Sequence, residues 1–386
     1  MESRATLSPR LLRPSRRAVF ALFVLAAATL WWWRRDIAEA APILWWLDPG
    51  VYVGTDIIMQ SEAKVCIVPG FGMTAGKREA AQRAFGVMRE VERLMSKFDD
   101  ASDVGRLNRQ MPGARIEVNP LTWEVVMQAL RLHRLTDGAF DITVEPLLRL
   151  YRERQEGGGD LPSPEAIAEA RQRVGSEKIL YEREGMRLGF KLDGMAVDLG
   201  ALAPGFAVDR AAAELRRAGV ENALVELDGE VRLLGKARAA LVPSGFLRAH
   251  RAANNGGWRI AIRHPRRPDD KIAVLDLGDC AIATSGDYEN YFICQGKRYS
   301  HIVDPRTGYP VSDDVVSATV IHPHSCLMAD ALATAFCVLG AEAAERWLKE
   351  LGGDMPDLAG VKAILFKLLP DGSLQRIDLS VAPVLP

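Results

Sequence analysis

The sequence has few cysteines and lacks the paired spacing that zinc or redox chemistry requires. Its 386 residues include five cysteines, and none forms a CxxC motif. This absence argues against zinc ribbons and thioredoxin-like chemistry. Cys326 and Cys337 lie in an apolar helical stretch, where a free cysteine behaves as a small hydrophobic residue.

The chain also lacks an excess of charge of either sign. It has 49 Lys and Arg residues against 50 Asp and Glu, a net charge of −1, whereas nucleic-acid-binding proteins usually carry a strong basic excess. We therefore expect no nucleic-acid partner. The balance is uneven, because residues 1–40 hold seven arginines and three acidic residues and so carry +4, which leaves −5 for the rest.

The N-terminal segment lacks a hydrophobic run as long as a typical membrane-spanning helix. Arginines precede the apolar run 18–33, which has 16 residues where about 20 are usual. With the small residues of 38–40 after it, this pattern is typical of a secretory signal. Ser15–Phe20 also resembles a twin-arginine export signal. Since no cysteine lies near the cleavage site, a lipoprotein anchor is excluded.

These features predict the location of the protein. We expect residues 1–40 to be a cleaved signal peptide or an uncleaved anchor that contacts the membrane, followed by a linker over 41–50. The protein is then periplasmic, or exported and attached to the inner membrane.

The remaining chain, 51–386, shows no internal repeat and no regular βαβ rhythm, which predicts an α+β fold with mixed sheets and packed helices. Apolar periodicity and helix-start residues predict helices over about 74–97 (capped by Thr74), 120–135, from Ser163 onward, 326–339 and 341–351. Strands are predicted at 196–199, 223–227, 231–234, 258–262, 272–277, 281–284, 315–321 and 363–368. Residues 237–257, rich in turn-forming residues, predict a surface insertion.

The chain has no complete GxGxxG fingerprint, which disfavours a dinucleotide-binding Rossmann domain. Residues 197–209 instead predict a strand, a turn at Gly200 and the start of a helix. Such a turn exposes backbone N–H groups and the positive end of a helix dipole, which suits phosphate. A purely structural turn is the commoner explanation of one such segment.

Asp330 and Thr334 are spaced i, i+4 on a predicted helix, so their oxygens face the same way. A carboxylate and a hydroxyl are hard ligands that suit Mg²⁺. The alternative is an aspartate stabilised by the helix dipole and a packed threonine. The six histidines show no metal-ligand spacing, and His301 alone is as consistent with a structural role as with catalysis.

The order of five motifs is more informative than any of them singly. The sequence resembles the ApbE family, the FAD:protein FMN transferases, from about Gly54 to Leu339. The motifs are Gly138-Ala-Phe-Asp-Ile-Thr143, Asp198-Leu-Gly200, Thr284-Ser-Gly-Asp-Tyr288, His301 to Gly308, and Ala329-Asp-Ala-Leu-Ala-Thr334.

The resemblance implies an enzyme that binds FAD with Mg²⁺, transfers FMN to a Thr or Ser hydroxyl of an exported or membrane electron-transfer protein, and releases AMP. It implies metal ligation by Asp330, Thr334 and the backbone oxygen of Ala201. His301 is the first candidate for handling the acceptor proton and Asp287 the second. The implied cofactor contacts are Val53, Phe98, Ala139, Phe140, Asp141, Asp198, Pro204 and Ile302.

Several residues depart from the family pattern. Phe98 and Val53 replace Tyr and Met, which are tolerable changes, whereas Pro204 cannot donate a hydrogen bond where many relatives have a basic or polar residue. Glu226 and Asp228 add carboxylates near an anionic cofactor. These departures leave open an alternative, a protein that binds FAD without transferring it or hydrolyses it to FMN and AMP. A scaffold without flavin is disfavoured, because the metal pair would then have no task.

Overall fold

The computed structural model describes residues 51–68, 76–156, 160–237, 256–288, 291–294, 297–311, 315–351 and 355–381. The predicted leader and linker, Thr74, and residues 238–255 of the predicted insertion lie outside the described residues. Within the described ranges, no helix has both the length and the hydropathy needed to cross a bilayer.

The described residues form eight α-helices and fifteen strands. The helices are α1 (Lys77–Met95), α2 (Asp103–Leu107), α3 (Pro120–Leu135), α4 (Glu145–Glu156), α5 (Pro164–Gln172), α6 (Ala203–Arg217), α7 (Cys326–Leu339) and α8 (Ala341–Leu351). The strands are β1 (Tyr52–Ile58), β2 (Ser61–Val68), β3 (Arg115–Glu117), β4 (Ile179–Glu182), β5 (Arg187–Phe190), β6 (Asn222–Leu227), β7 (Glu230–Leu234), β8 (Trp258–His264), β9 (Arg267–Leu277), β10 (Cys280–Gly286), β11 (Tyr291–Cys294), β12 (Lys297–Ser300), β13 (Val315–His322), β14 (Lys362–Leu368) and β15 (Leu374–Ser380).

An eight-stranded antiparallel sheet forms the centre of the molecule, in the order β1-β2-β6-β7-β10-β13-β14-β15. Successive side chains of a strand point to opposite faces. Ala223 and Val225 of β6 therefore meet the helices α1, α6 and α7, whereas Leu224 meets Trp258 of the β8–β9 hairpin on the other face. The sheet is covered on both sides, by helices and by a hairpin, which confirms the α+β prediction.

The predicted helices are confirmed with small changes of boundary. Helix α1 is shorter than expected and buries the predicted stripe that includes Ala81, Phe85 and Met88. Ser163 caps α5 by accepting a hydrogen bond from the Ala166 amide at 3.2 Å, with Pro164 in the first turn. Apolar spacing and capping residues are local signals, which is why they locate these helices well.

The strand predicted at 196–199 is wrong. This largely buried segment forms no strand and pairs with none of the described strands. Val197 exchanges hydrogen bonds with the Asn108 side chain, at 2.7 and 2.9 Å, and the Asp198 amide donates to the Ile142 carbonyl at 2.8 Å. The backbone N–H and C=O groups of this segment thus bond to the side chain and the carbonyl of residues distant in sequence. The local sequence pattern does not reveal such partners.

Other elements were not predicted. They are α2 and α4, the antiparallel pair β1–β2, the three-stranded sheet β3-β5-β4, the β11–β12 hairpin and β15, which pairs antiparallel with β14. Most of them are short, and short strands carry little periodicity.

Candidate active site

A cleft of about 280 Å³ opens where one face of α7 lies opposite the loop before α6 and the segment that follows α3. The turn between β6 and β7 and the segment after β12 complete its walls. Most of the predicted site residues line it, namely Ala139, Phe140, Asp141, Asp198, Ala201, His301, Ile302, Asp330 and Thr334.

Four predicted site residues do not line this cleft. Val53 is buried in β1 against the β8–β9 side of the sheet, and Phe98 is 69% exposed after the end of α1. Pro204 is buried in the first turn of α6, where the missing N–H costs no helical hydrogen bond. Asp287 is buried beyond the end of β10.

The carboxylate of Asp287 is held by an arginine. Both of its oxygens accept hydrogen bonds from the Arg266 guanidinium, at 2.6 and 2.7 Å. Arg266 lies between β8 and β9, so this bidentate pair fixes the end of that hairpin to the main sheet. A carboxylate held in this way is poorly placed to accept a proton from a substrate in the cleft.

Helix α7 presents the two predicted metal donors to the cleft. Asp330 is buried, and its Oδ2 accepts a hydrogen bond from the Gly205 amide at 3.3 Å. One turn later, Thr334 lies 3.0 Å from the Ser285 hydroxyl. Ser325 is the N-cap of the helix, and Asp209 of α6 accepts hydrogen bonds from the Cys326 and Leu327 amides at 2.7–3.1 Å.

A glycine allows α6 to approach α7 at this point. A Cβ atom added to Gly205 would lie 2.6 Å from the Cys326 carbonyl oxygen, a distance at which atoms overlap. Gly205 and the Asp209 contacts therefore fix the position of Asp330 relative to the Ala201 turn. Asp209 is the last residue of the predicted turn and helix start at 197–209, but no local pattern in the sequence connects it to α7.

The donor chemistry of Asp330, Thr334 and the Ala201 carbonyl fits Mg²⁺. All three are hard oxygen ligands, and Mg²⁺ commonly takes only one or two carboxylates together with substrate phosphates. Among the described residues, no three His, Cys, Asp or Glu side chains are grouped as a metal site. The predicted Mg²⁺ ligands are one carboxylate, one hydroxyl and one backbone carbonyl, so they do not form a group of this type.

The segment 136–144 contributes the opposite wall and is held in shape by hydrogen bonds between its own residues. The Thr136 hydroxyl accepts a hydrogen bond from the Phe140 amide at 3.0 Å. Asp137 and Gly138 have φ angles of 50° and 74°, in the left-handed region that favours glycine. Asp141 then begins a short 3₁₀ turn by accepting from the Thr143 amide at 2.8 Å.

Asp141 is buried, and both oxygens of its carboxylate accept hydrogen bonds from neighbouring residues of the protein. It accepts from the Thr143 and Ser176 hydroxyls at 2.6 and 2.7 Å, and His133 Nδ1 lies 3.0 Å from Oδ2. Burial favours a higher pKa for Asp141, but the adjacent His133 and the hydrogen bonds from Thr143 lower its pKa overall. The close contact with Asp141 raises the pKa of His133, against the effect of burial. When His133 is protonated, the two form an ion pair in this wall.

His301, which follows β12, lines the cleft together with Asp228 of the β6–β7 turn. The Asp228 carboxylate accepts a hydrogen bond from the Ser61 hydroxyl at 2.8 Å. Desolvation raises the pKa of Asp228, while the Ser61 bond and the charge of His301 act to lower it. Of the two carboxylates that depart from the family pattern, only Asp228 lines the cleft. Glu226 lies 3.8 Å from Lys64 and borders a neighbouring cavity of about 590 Å³, which Asp228 also lines.

The cleft is strongly acidic. Asp198, Asp228, Glu230 and Asp330 line it, and none of the described lining residues is a lysine or an arginine. Glu230 and Ser285, which also line the cleft, were not among the predicted site residues, although Ser285 belongs to the 284–288 motif. An anionic pyrophosphate entering such a cleft requires a cation beside it.

Comparisons with known proteins agree with this geometry. Residues 54–358 match the model of the ApbE family. The FAD:protein FMN transferase of Vibrio cholerae is 39% identical over 258 residues, which are 66% of this chain and 72% of that protein. The FAD:protein FMN transferase of Haemophilus influenzae is 33% identical over 278 residues, 70% of this chain and 76% of that protein.

Solved structures give the same result. The flavin transferase ApbE from Vibrio cholerae superposes with a TM-score of 0.69 at 30% identity, covering 85% of this chain and 97% of that one. The ApbE protein from Thermotoga maritima has a TM-score of 0.69 at 32% identity, with 84% and 96% covered.

Proposed function

The chain belongs to the ApbE family, and on that premise we propose that it is an FAD:protein FMN transferase. It moves FMN from FAD to a Ser or Thr hydroxyl of an acceptor protein and releases AMP. One observation carries the proposal: Asp330, Thr334 and Ala201 line the same cleft as His301 and the 139–141 segment. The relatives in Vibrio cholerae and Haemophilus influenzae bear this activity in their names.

In this proposal, Asp330, Thr334 and the Ala201 carbonyl hold Mg²⁺ in the acidic cleft. When bound, Mg²⁺ neutralises charge on phosphate oxygens and stabilises the departing AMP as a Lewis acid. The predicted cofactor residues Ala139, Phe140, Asp198 and Ile302 line the remaining walls and orient the FMN half of FAD.

His301 handles the proton of the reaction. The acceptor hydroxyl oxygen forms a bond to the FMN phosphorus while the bond from that phosphorus to the AMP oxygen breaks. His301 takes the hydroxyl proton, and Asp228 beside it stabilises the positive charge that the imidazole then carries. Catalysis in such a step is mainly positioning and electrostatic stabilisation.

One feature of the cleft favours a second candidate function. Asp228, which departs from the family pattern, adds negative charge to the cleft that His301 also lines, and a carboxylate there can hold a water molecule in place of the acceptor hydroxyl. The second candidate is therefore hydrolysis of FAD to FMN and AMP, with the same residues acting on water.

One experiment separates these reactions. The protein is incubated with FAD, Mg²⁺ and a candidate acceptor protein, and flavin fluorescence on the acceptor is read after denaturing electrophoresis. Transfer gives Mg²⁺-dependent label that disappears in Asp330→Ala. AMP without label on any acceptor indicates hydrolysis, and the absence of both products contradicts an enzymatic role.

We further propose that the protein is exported, on the strength of the basic and apolar leader. Cell fractionation tests the location, and N-terminal sequencing of the isolated protein distinguishes cleavage after Ala40 from anchoring. Recovery of the full-length chain in the cytosol contradicts this proposal.

A further inference from the structure

A lysine that the family motifs did not indicate lies behind the wall of the cleft. Lys97 follows the end of α1, and its Nζ is 2.6 Å from Glu145 Oε2 and 2.7 Å from Asp198 Oδ2. Its side chain is only 13% exposed. One ammonium group thus bridges two carboxylates that belong to different parts of the chain.

The two carboxylates belong to two walls of the cleft. Glu145 begins α4, directly after the 3₁₀ turn that Asp141 caps, and its other oxygen lies 2.7 Å from Arg152. Asp198 precedes the turn that carries Ala201. The amide of Gly200 donates to Asp198 Oδ1 at 2.8 Å, so both oxygens of this carboxylate have defined partners.

Removal of the ammonium would leave these two carboxylates close together in a poorly solvated place. Like charges at such a separation repel strongly when little water screens them. Arg152 offsets the charge of Glu145 only, so Asp198 would be the group that moves. The Asp198 amide donates a hydrogen bond to the Ile142 carbonyl. A shift of Asp198 would therefore displace both walls of the cleft.

We propose that Lys97 is a positioning residue for FAD binding: it fixes the Asp198 carboxylate, and with it the 198–201 turn, against the 139–145 wall. The Lys97 ammonium also lies 5.3 Å from the centre of the exposed Phe98 ring. The inference rests on the proposed function, since it takes FAD as the ligand of the cleft.

The test measures FAD affinity directly, by titration of flavin fluorescence with Mg²⁺ present and no acceptor. Lys97→Met raises the Kd for FAD about tenfold or more, since tenfold in Kd corresponds to about 1.4 kcal/mol and a hydrogen bond to a charged group contributes at least about that much. Lys97→Arg, which keeps the charge, binds FAD more tightly than Lys97→Met. Lys97→Met combined with Glu145→Gln recovers part of the lost affinity, because one of the repelling charges is gone.

The control is Lys349→Met, which removes an exposed lysine of α8 paired with Glu345 and leaves FAD affinity unchanged. Thermal unfolding verifies that each variant is folded at the titration temperature, and Lys97→Gln replaces Lys97→Met if the latter does not fold. Equal FAD affinity in wild type and the Lys97 variant overturns the role of Lys97, as does a double variant no better than the single one.

Failure of the proposal for Lys97 is distinguishable from failure of the proposed function. A wild-type protein that binds FAD but labels no acceptor contradicts the transferase proposal and leaves the comparison of Lys97 variants readable. A wild-type protein that labels an acceptor while Lys97→Met binds FAD normally contradicts the role of Lys97 alone.

Discussion

Asp141, Asp287 and Asp228 carry the same functional group in three different environments. Asp287 is paired with Arg266, and Asp141 is bonded to Thr143, Ser176 and His133. Asp228 lies in the cleft beside His301. A motif identifies the residue type, but the partners of the carboxylate decide whether it stabilises the fold or meets a substrate.

At the residue scale, His301→Ala separates binding from chemistry. We expect the variant to bind FAD with unchanged affinity and to transfer FMN about 10²–10⁴-fold more slowly, the range over which a general base contributes. Flavin titration and the rate of acceptor labelling provide the two measurements. Unchanged turnover would remove His301 from the mechanism.

The His133–Asp141 pair makes stability depend on pH. The pKa of His133 is raised in the folded protein, so its contribution is complete below its ordinary pKa of about 6.5 and is lost as the pH rises through the raised value. The pKa of Asp141 is lowered, so its own contribution is present above about pH 4 and is lost as the pH falls.

His133→Gln tests this pair through the free energy of unfolding in urea. We expect the difference between wild type and His133→Gln to be largest at about pH 5–6 and to shrink toward about pH 9. A difference that stays constant over this range would show that the histidine contributes through packing and not through its charge.

At the scale of elements, the contact between α6 and α7 depends on the absence of a side chain at Gly205. Gly205→Ala places a methyl group against the Cys326 carbonyl, and we expect a loss of about 1–3 kcal/mol in the free energy of unfolding. Because Asp330 accepts the Gly205 amide, the variant should also need more Mg²⁺ for half-maximal activity.

A second helical glycine provides the matched control. A Cβ at Gly86 of α1 meets no atom within 4 Å, so Gly86→Ala should stabilise the protein by about 0.5–1 kcal/mol. Denaturant unfolding measures both variants. Equal effects of the two substitutions would contradict the close approach at Gly205.

Elements defined by local signals were predicted well from the sequence, and those that depend on distant partners were not. The helices at Pro120 and Ser163 have proline and capping residues within one turn. The segment 196–199 looks like a strand because it is apolar, yet the Asn108 side chain takes its hydrogen bonds. The same limit applies in the site, where Lys97 meets Asp198 across 101 residues of sequence.

At the scale of the whole molecule, charge is the dominant property of the site. Residues 41–386 carry about −5, and the cleft adds a local concentration of carboxylates. The near-neutral composition of the chain conceals this, because the basic residues 1–40 offset the acidic remainder.

This charge predicts that FAD and Mg²⁺ stabilise the protein together. A ligand that binds only the folded state raises the free energy of unfolding by about 2.7 kcal/mol at about 100 times its Kd. We expect FAD to raise the Tm by several degrees with Mg²⁺ present and by much less in EDTA. Asp330→Asn should abolish the difference, and an equal shift in EDTA would contradict the metal site.

Helix α7 holds two of the donors proposed for the metal and is also among the most deeply buried helices, enclosed by the main sheet and α6. Its amide hydrogens should therefore exchange with solvent only through global unfolding. The spacing of Asp330 and Thr334 is then set once, when the chain folds. The entropy of ordering these donors is lost during folding rather than at each encounter with FAD, so the site meets its ligand preorganised.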